Sequence, residues 1–117
     1  MEKAKIEELL KKHNLEGKFS WKPETLLKDL EDYCKSLIPK ISASEVIGPD
    51  FIDSAKNAIQ EYQKAVDIIL RNKADIPEDA IRSFELVVTF RLLAARKIII
   101  AAYGSQYNDL LIVPSLR

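Results

Sequence analysis

The stretch from Ala80 to Tyr103 limits what this chain can fold into more than any other segment. It reads as one long helix. At about 100° per residue, Phe84, Val87, Val88, Ala94, Ala95 and Ile98 share a broad core face. Arg91 points into the middle of that face. On the opposite side Leu86, Leu93 and Ile100 recur every seven residues, among Arg82, Thr89, Arg96 and Lys97. A helix that is apolar on two sides is either central in its own domain or docked on another chain.

The remaining sequence supplies shorter helices with clear punctuation. The first runs from about Glu2 to His13, with Ile6, Leu9, Leu10 and His13 on one side; Asn14 and Gly17 end it. The second starts near Pro23 and reaches Ile38, with Leu26, Leu27, Leu30, Tyr33, Cys34 and Leu37 as its stripe. Pro39 stops it. After a short Ser-rich linker, Lys40 to Gly48, Pro49 opens a third helix at the position where a missing N–H costs nothing. Its stripe is Phe51, Ala55, Ala58, Ile59, Tyr62, Val66, Ile69 and Leu70. Asp75 and Glu78 resemble a capping box for the last helix, with Pro77 just inside its start, and Gly104 is a natural left-handed terminator.

The expected fold is therefore an all-α bundle of four main helices, residues 1–104, followed by an extended tail, residues 105–117. Asp109 to Val113 in that tail is β-prone. A lone strand leaves backbone groups unpaired. The tail must pack on the helices, pair with another chain, or begin a truncated β-module.

Composition narrows the function classes. A chain of 117 residues suits one core. With 18 basic and 18 acidic residues the formal net charge is zero, so nothing global attracts nucleic acid or anionic lipid. Cys34 is the single cysteine, which excludes an internal disulfide and fits a reducing, cytoplasmic setting. The longest apolar run, Leu92 to Tyr103, is broken by Arg96 and Lys97 and is too short to span a bilayer.

Catalytic signatures are missing. A single histidine, His13, cannot build the usual histidine metal sites and makes a triad improbable; it reads as a satisfied or half-exposed side chain. Cys34 falls on the buried stripe and reads as a small core residue. Gly17, Gly48 and Gly104 are too far apart for a phosphate-cradling loop. Acidic pairs such as Glu7-Glu8 and Glu31-Asp32 occupy solvent-facing positions. No catalytic, cofactor or metal residue is assigned.

Function must then come from surfaces. An unpaired guanidinium on a core face would cost roughly 3–5 kcal/mol. Arg91 therefore either snorkels to a boundary acid such as Glu61 or reaches a carboxylate on a partner. The Leu86-Leu93-Ile100 stripe is covered either by helix one or the tail, or by another subunit. In the second case Arg96 and Lys97 form its polar rim. The candidate partner interface is Leu86, Arg91, Leu93, Arg96, Lys97 and Ile100. Phe19 and Trp21 are expected to staple the start of helix two.

Ile47-Gly-Pro-Asp-Phe-Ile52, followed by an amphipathic helix, resembles the opening of the helical domain of a GINS replication-complex subunit. Pro77 to Ala102 is similar to that family's next helix, with the match falling on Leu92 or Leu93, Arg96, Lys97 and Ile98. The likeness spans about Ile47 to Tyr103. Ile52 stands where the family has an aromatic, and the first 40 residues have no counterpart. The resemblance implies a non-enzymatic scaffold of the replicative helicase, in an oligomer with other GINS subunits and the MCM ring. Contact with nucleic acid would then be indirect. The alternative is a small homodimeric helical adaptor or a nucleic-acid-associated regulatory protein.

Overall fold

A computed structural model describes residues 3–15, 23–38 and 48–116. Five α-helices are present among them: α1 Lys3–Lys12, α2 Pro23–Leu37, α3 Pro49–Arg71, α4 Glu78–Phe84 and α5 Phe90–Tyr103. Short 3-10 turns cover Lys73–Asp75 and Ser105–Tyr107. No described residue is in a strand. The all-α bundle is the observed fold, and α3 is its hub, since α1, α2 and α5 all pack on it.

Helix ends follow local chemistry. Asn14 adopts φ 62° after α1. Its N–H donates to the Lys11 carbonyl at 3.1 Å, and the Leu15 N–H donates to the Leu10 carbonyl at 2.7 Å. This paired closure satisfies two orphan carbonyls and turns Leu15 back into the core. Pro49 does sit at the first position of α3, behind Gly48. The start of α4 differs from the expected one: Asp75 belongs to the 3-10 turn, and the residue before α4 is Pro77, whose carbonyl accepts from Ala80 and Ile81. Glu78 and Asp79 fill the first turn instead, where the helix dipole favours acids. Gly104 ends α5 not in the expected left-handed helical conformation but at φ 110°, ψ 167°, an extended mirror-image region that essentially only glycine enters.

The expected stripe of α2 packs inward, with Leu26, Leu30 and Cys34 buried. That of α3 is wider than expected. It includes Ile52, Ala65 and Ile68, because other helices pack on more than one side of α3. Leu70 is exposed instead. The Phe19–Trp21 staple and most of the linker lie outside the described residues.

The last helix holds the main correction. Between α4 and α5, Glu85–Thr89 forms a π-turn, in which the Phe90 N–H donates to the Glu85 carbonyl five residues back. Backbone angles stay right-handed helical through Phe84, Glu85, Thr89 and Phe90, so α4, the π-turn and α5 form one continuous rod. A π-turn winds less per residue than an α-turn. In an unbroken α-helix Arg91, seven residues after Phe84, lies within about 20° of it. The wider turn rotates Arg91 away and brings Leu92 into line. The buried series is Ile81, Phe84, Val88, Leu92, Ala95 and Ile99. Arg91 and Ala94, expected in the core, are exposed, and Val87 and Ile98 are half-buried. Glu61, the acid expected to meet Arg91, binds the Tyr33 hydroxyl at 3.0 Å and Lys64 at 2.9 Å.

The tail packs on the helices. Leu111 and Leu116 are buried within the same core as α1 to α5. Arg96 anchors the tail by donating to the backbone carbonyl and the side-chain oxygen of Asn108, at 3.3 and 3.1 Å.

Candidate functional site

The side of the last helix opposite the core is open. Arg82, Leu86, Phe90, Leu93, Lys97 and Ala101 follow one another at three- and four-residue steps, and all are exposed, as is Ala94 beside them. Leu86 is 60% exposed, Phe90 53% and Leu93 41%. Neither α1 nor the tail covers them. Large apolar side chains held open on a helix that is anchored by its other side form a ready contact surface.

The six residues proposed from sequence separate into two groups. Leu86, Arg91, Leu93 and Lys97 are exposed. Ile100 is half-buried at the edge of the stripe, and Arg96 is half-buried and tied to Asn108. Phe90 was missed. Its position, four after Leu86 and three before Leu93, is the signal that places it on the same side. It is the largest side chain of the open stripe and sits at its centre.

Other reactive groups are engaged inside the fold. His13 Nε2 lies 2.6 Å from Asp67 Oδ2, and Arg71 Nε donates to Asp67 Oδ1 at 2.8 Å. Burial pushes the Asp67 carboxyl up, but the hydrogen bonds from Arg71 and His13 outweigh it and hold it below its ordinary value. Beside them an open cleft of about 500 Å³ is lined by Lys5, Glu8, Leu9, Lys12 and Arg71. Its cations already have partners, since Lys5 donates to the Arg71 carbonyl at 3.3 Å and Lys12 lies 4.0 Å from Asp67. The cluster fastens α1 to the end of α3. Burial, aided by the Glu61 charge, pushes the Cys34 thiol up to about 12, so it stays protonated and unreactive at neutral pH.

The π-turn is held from below by a buried polar pair. The hydroxyls of Tyr62 and Thr89 share a hydrogen bond, and Tyr62 stacks against Phe84 with ring centroids 6.2 Å apart. Asn72, also buried, donates to the Ile68 carbonyl at 2.8 Å and closes α3. Among the described residues there is no group of three or more metal-ligating side chains, and no helix is long and apolar enough to cross a membrane.

The chain matches no family model, no curated protein and no solved structure.

Proposed function

We propose that this chain is a non-enzymatic assembly subunit that binds another protein through the open side of its last helix. The observation that carries this reading is the exposure of Leu86, Phe90 and Leu93 in one line along a helix whose opposite side is core. Burying such a side chain contributes roughly 1.5–3 kcal/mol, so a partner covering all three gains a substantial driving force. The stripe sits on a rod fixed by Ile81, Phe84, Val88, Leu92 and Ile99, so little ordering is needed on binding.

Within this reading, the resemblance of residues 47–103 to a GINS helical domain makes the replicative helicase the assembly. Other GINS subunits and the MCM ring are then the partners, contact with DNA is indirect, and the setting is cytoplasmic.

Leu93→Glu tests the binding reading. Leu93 is exposed, so the change leaves helical content and unfolding temperature close to wild type. Association with the native partner falls below detection. A Leu93→Glu protein that assembles normally contradicts the proposal.

A further inference from the structure

The charge around the stripe identifies the kind of partner it fits. Along the rod from Glu78 to Tyr103 there are four cations, Arg82, Arg91, Arg96 and Lys97, and three anions, Glu78, Asp79 and Glu85, of which Glu78 and Asp79 stand in the first turn, ahead of the apolar stripe. Arg96 is occupied by Asn108. Glu85 is half-buried and its charge is felt by the buried Tyr62, which places it toward the core side. Arg82, Arg91 and Lys97 are exposed and form no ion pair among the described residues. Arg82 stands one turn before Leu86 and Lys97 one turn after Leu93, about 22 Å apart along the axis. Arg91 flanks Phe90 at the middle. From Arg82 to Lys97 the open side is thus an apolar strip closed by a cation at each end, with the acids Glu78 and Asp79 in the helix turn before it.

We infer that the occupant of this strip is an acidic amphipathic helix from a different protein. Its apolar residues cover Leu86, Phe90 and Leu93, and its carboxylates meet Arg82 and Lys97. This rests on the protein-binding reading above and adds the partner's chemistry to it.

Symmetry excludes the same helix of a second copy as a good occupant. In a two-fold contact each residue meets its equivalent or its mirror position. Parallel pairing sets Arg82 against Arg82 and Lys97 against Lys97 of the other copy. Antiparallel pairing, centred on the stripe, sets Arg82 against Lys97 at both ends. Either way like charges face each other across an apolar contact, which disfavours the pairing. A lipid surface is a poor match too. Interfacial helices carry their cations on the polar face, from which the side chains reach the headgroups. Here Arg82 and Lys97 lie in line with the apolar side chains and would be drawn toward the acyl region.

The test uses the purified full chain and two synthetic amphipathic peptides. Both carry leucines on one helical face, one with glutamates at the two ends and the other with lysines there. Amide shifts and fluorescence anisotropy report binding, and sedimentation reports the oligomeric state. The expected result is a monomer that binds the glutamate peptide on the Leu86–Ala101 side. The Arg82→Glu, Lys97→Glu double variant, whose changes are at exposed positions, then binds the glutamate peptide at least about tenfold more weakly and prefers the lysine peptide. Equal binding of both peptides, or of neither, overturns the acidic-partner inference. A dimer that dissociates in Phe90→Glu overturns it in favour of a second copy, while leaving the stripe a protein-binding face. Binding to phosphatidylserine vesicles or single-stranded DNA that Phe90→Glu abolishes, without peptide binding, overturns both. Loss of association in Leu93→Glu together with no peptide preference sinks the inference and spares the broader reading.

Discussion

At the scale of single residues, the polar groups inside the bundle matter most. The Tyr62 hydroxyl is buried among apolar side chains and has Thr89 as its partner. Thr89→Val keeps the shape and removes that partner. The unfolding free energy is expected to fall by about 1–3 kcal/mol, the cost of a buried unsatisfied hydroxyl. Adding Tyr62→Phe removes the orphaned group and restores most of the loss. Urea unfolding of the two single variants and the double variant measures this coupling. A double variant as unstable as the sum of the singles contradicts the role given to this bond. Asp67 yields a pH prediction. Its carboxyl is held below the ordinary 3.8 in the folded chain. The stability it adds is present above that value and is lost as pH falls through the lowered one. Asp67→Asn is therefore less stable than wild type at pH 7, and the difference closes in acid. A gap that stays constant from pH 7 to the acid limit of folding would contradict this. His13 was legible in sequence as a satisfied or half-exposed histidine, but its partner was not. Asp67 lies 54 positions away, and no local spacing encodes that meeting.

The elements show how far periodicity carries. Core stripes of α1 and α2, the start of α3 at Pro49 and the end of the rod at Gly104 were all readable. They depend on 3.6-residue spacing and on the fixed preferences of proline and glycine. The phase of the last helix was not, because one π-turn breaks the period on which such a reading depends. Arg91 was the visible sign: an unpaired guanidinium amid an apolar face indicates that the wheel, and not the residue, is wrong. The π-turn amounts to one extra residue in an α-helix. Deleting Leu86 turns the rod into a regular α-helix in which Leu92, Ala95 and Ile99 still follow Phe84. Deleting Ala94 leaves the π-turn in place and moves Ile99 and the anchored tail out of phase. The Leu86 deletion is expected to remain folded, and the Ala94 deletion to melt at least about 10 °C lower, given that about 1 kcal/mol shifts the melting temperature of a domain this size by roughly 4–8 °C. Equal melting temperatures of the two deletions contradict the assignment of the π-turn as the extra residue.

At the scale of the whole molecule, the bundle is an elongated body of 45 × 27 × 25 Å. Its long dimension suits the rod from Glu78 to Tyr103, about 39 Å at 1.5 Å per residue. One side of that rod completes the core, while the other carries Leu86, Phe90 and Leu93 into solvent between Arg82 and Lys97. The sequence showed that the rod was apolar on two sides, and left open whether the chain covered the second. Coverage is a tertiary fact. It depends on where the tail goes, and Arg96 and Leu111 direct the tail away from the stripe. The most direct measurement is parallel affinity capture of tagged wild type and tagged Leu93→Glu from the native cells, with recovered proteins quantified by mass spectrometry. The account predicts a stoichiometric protein partner with wild type that is missing with Leu93→Glu, at equal folding of the two baits. Recovery of the same proteins in the same amounts with both baits would contradict it.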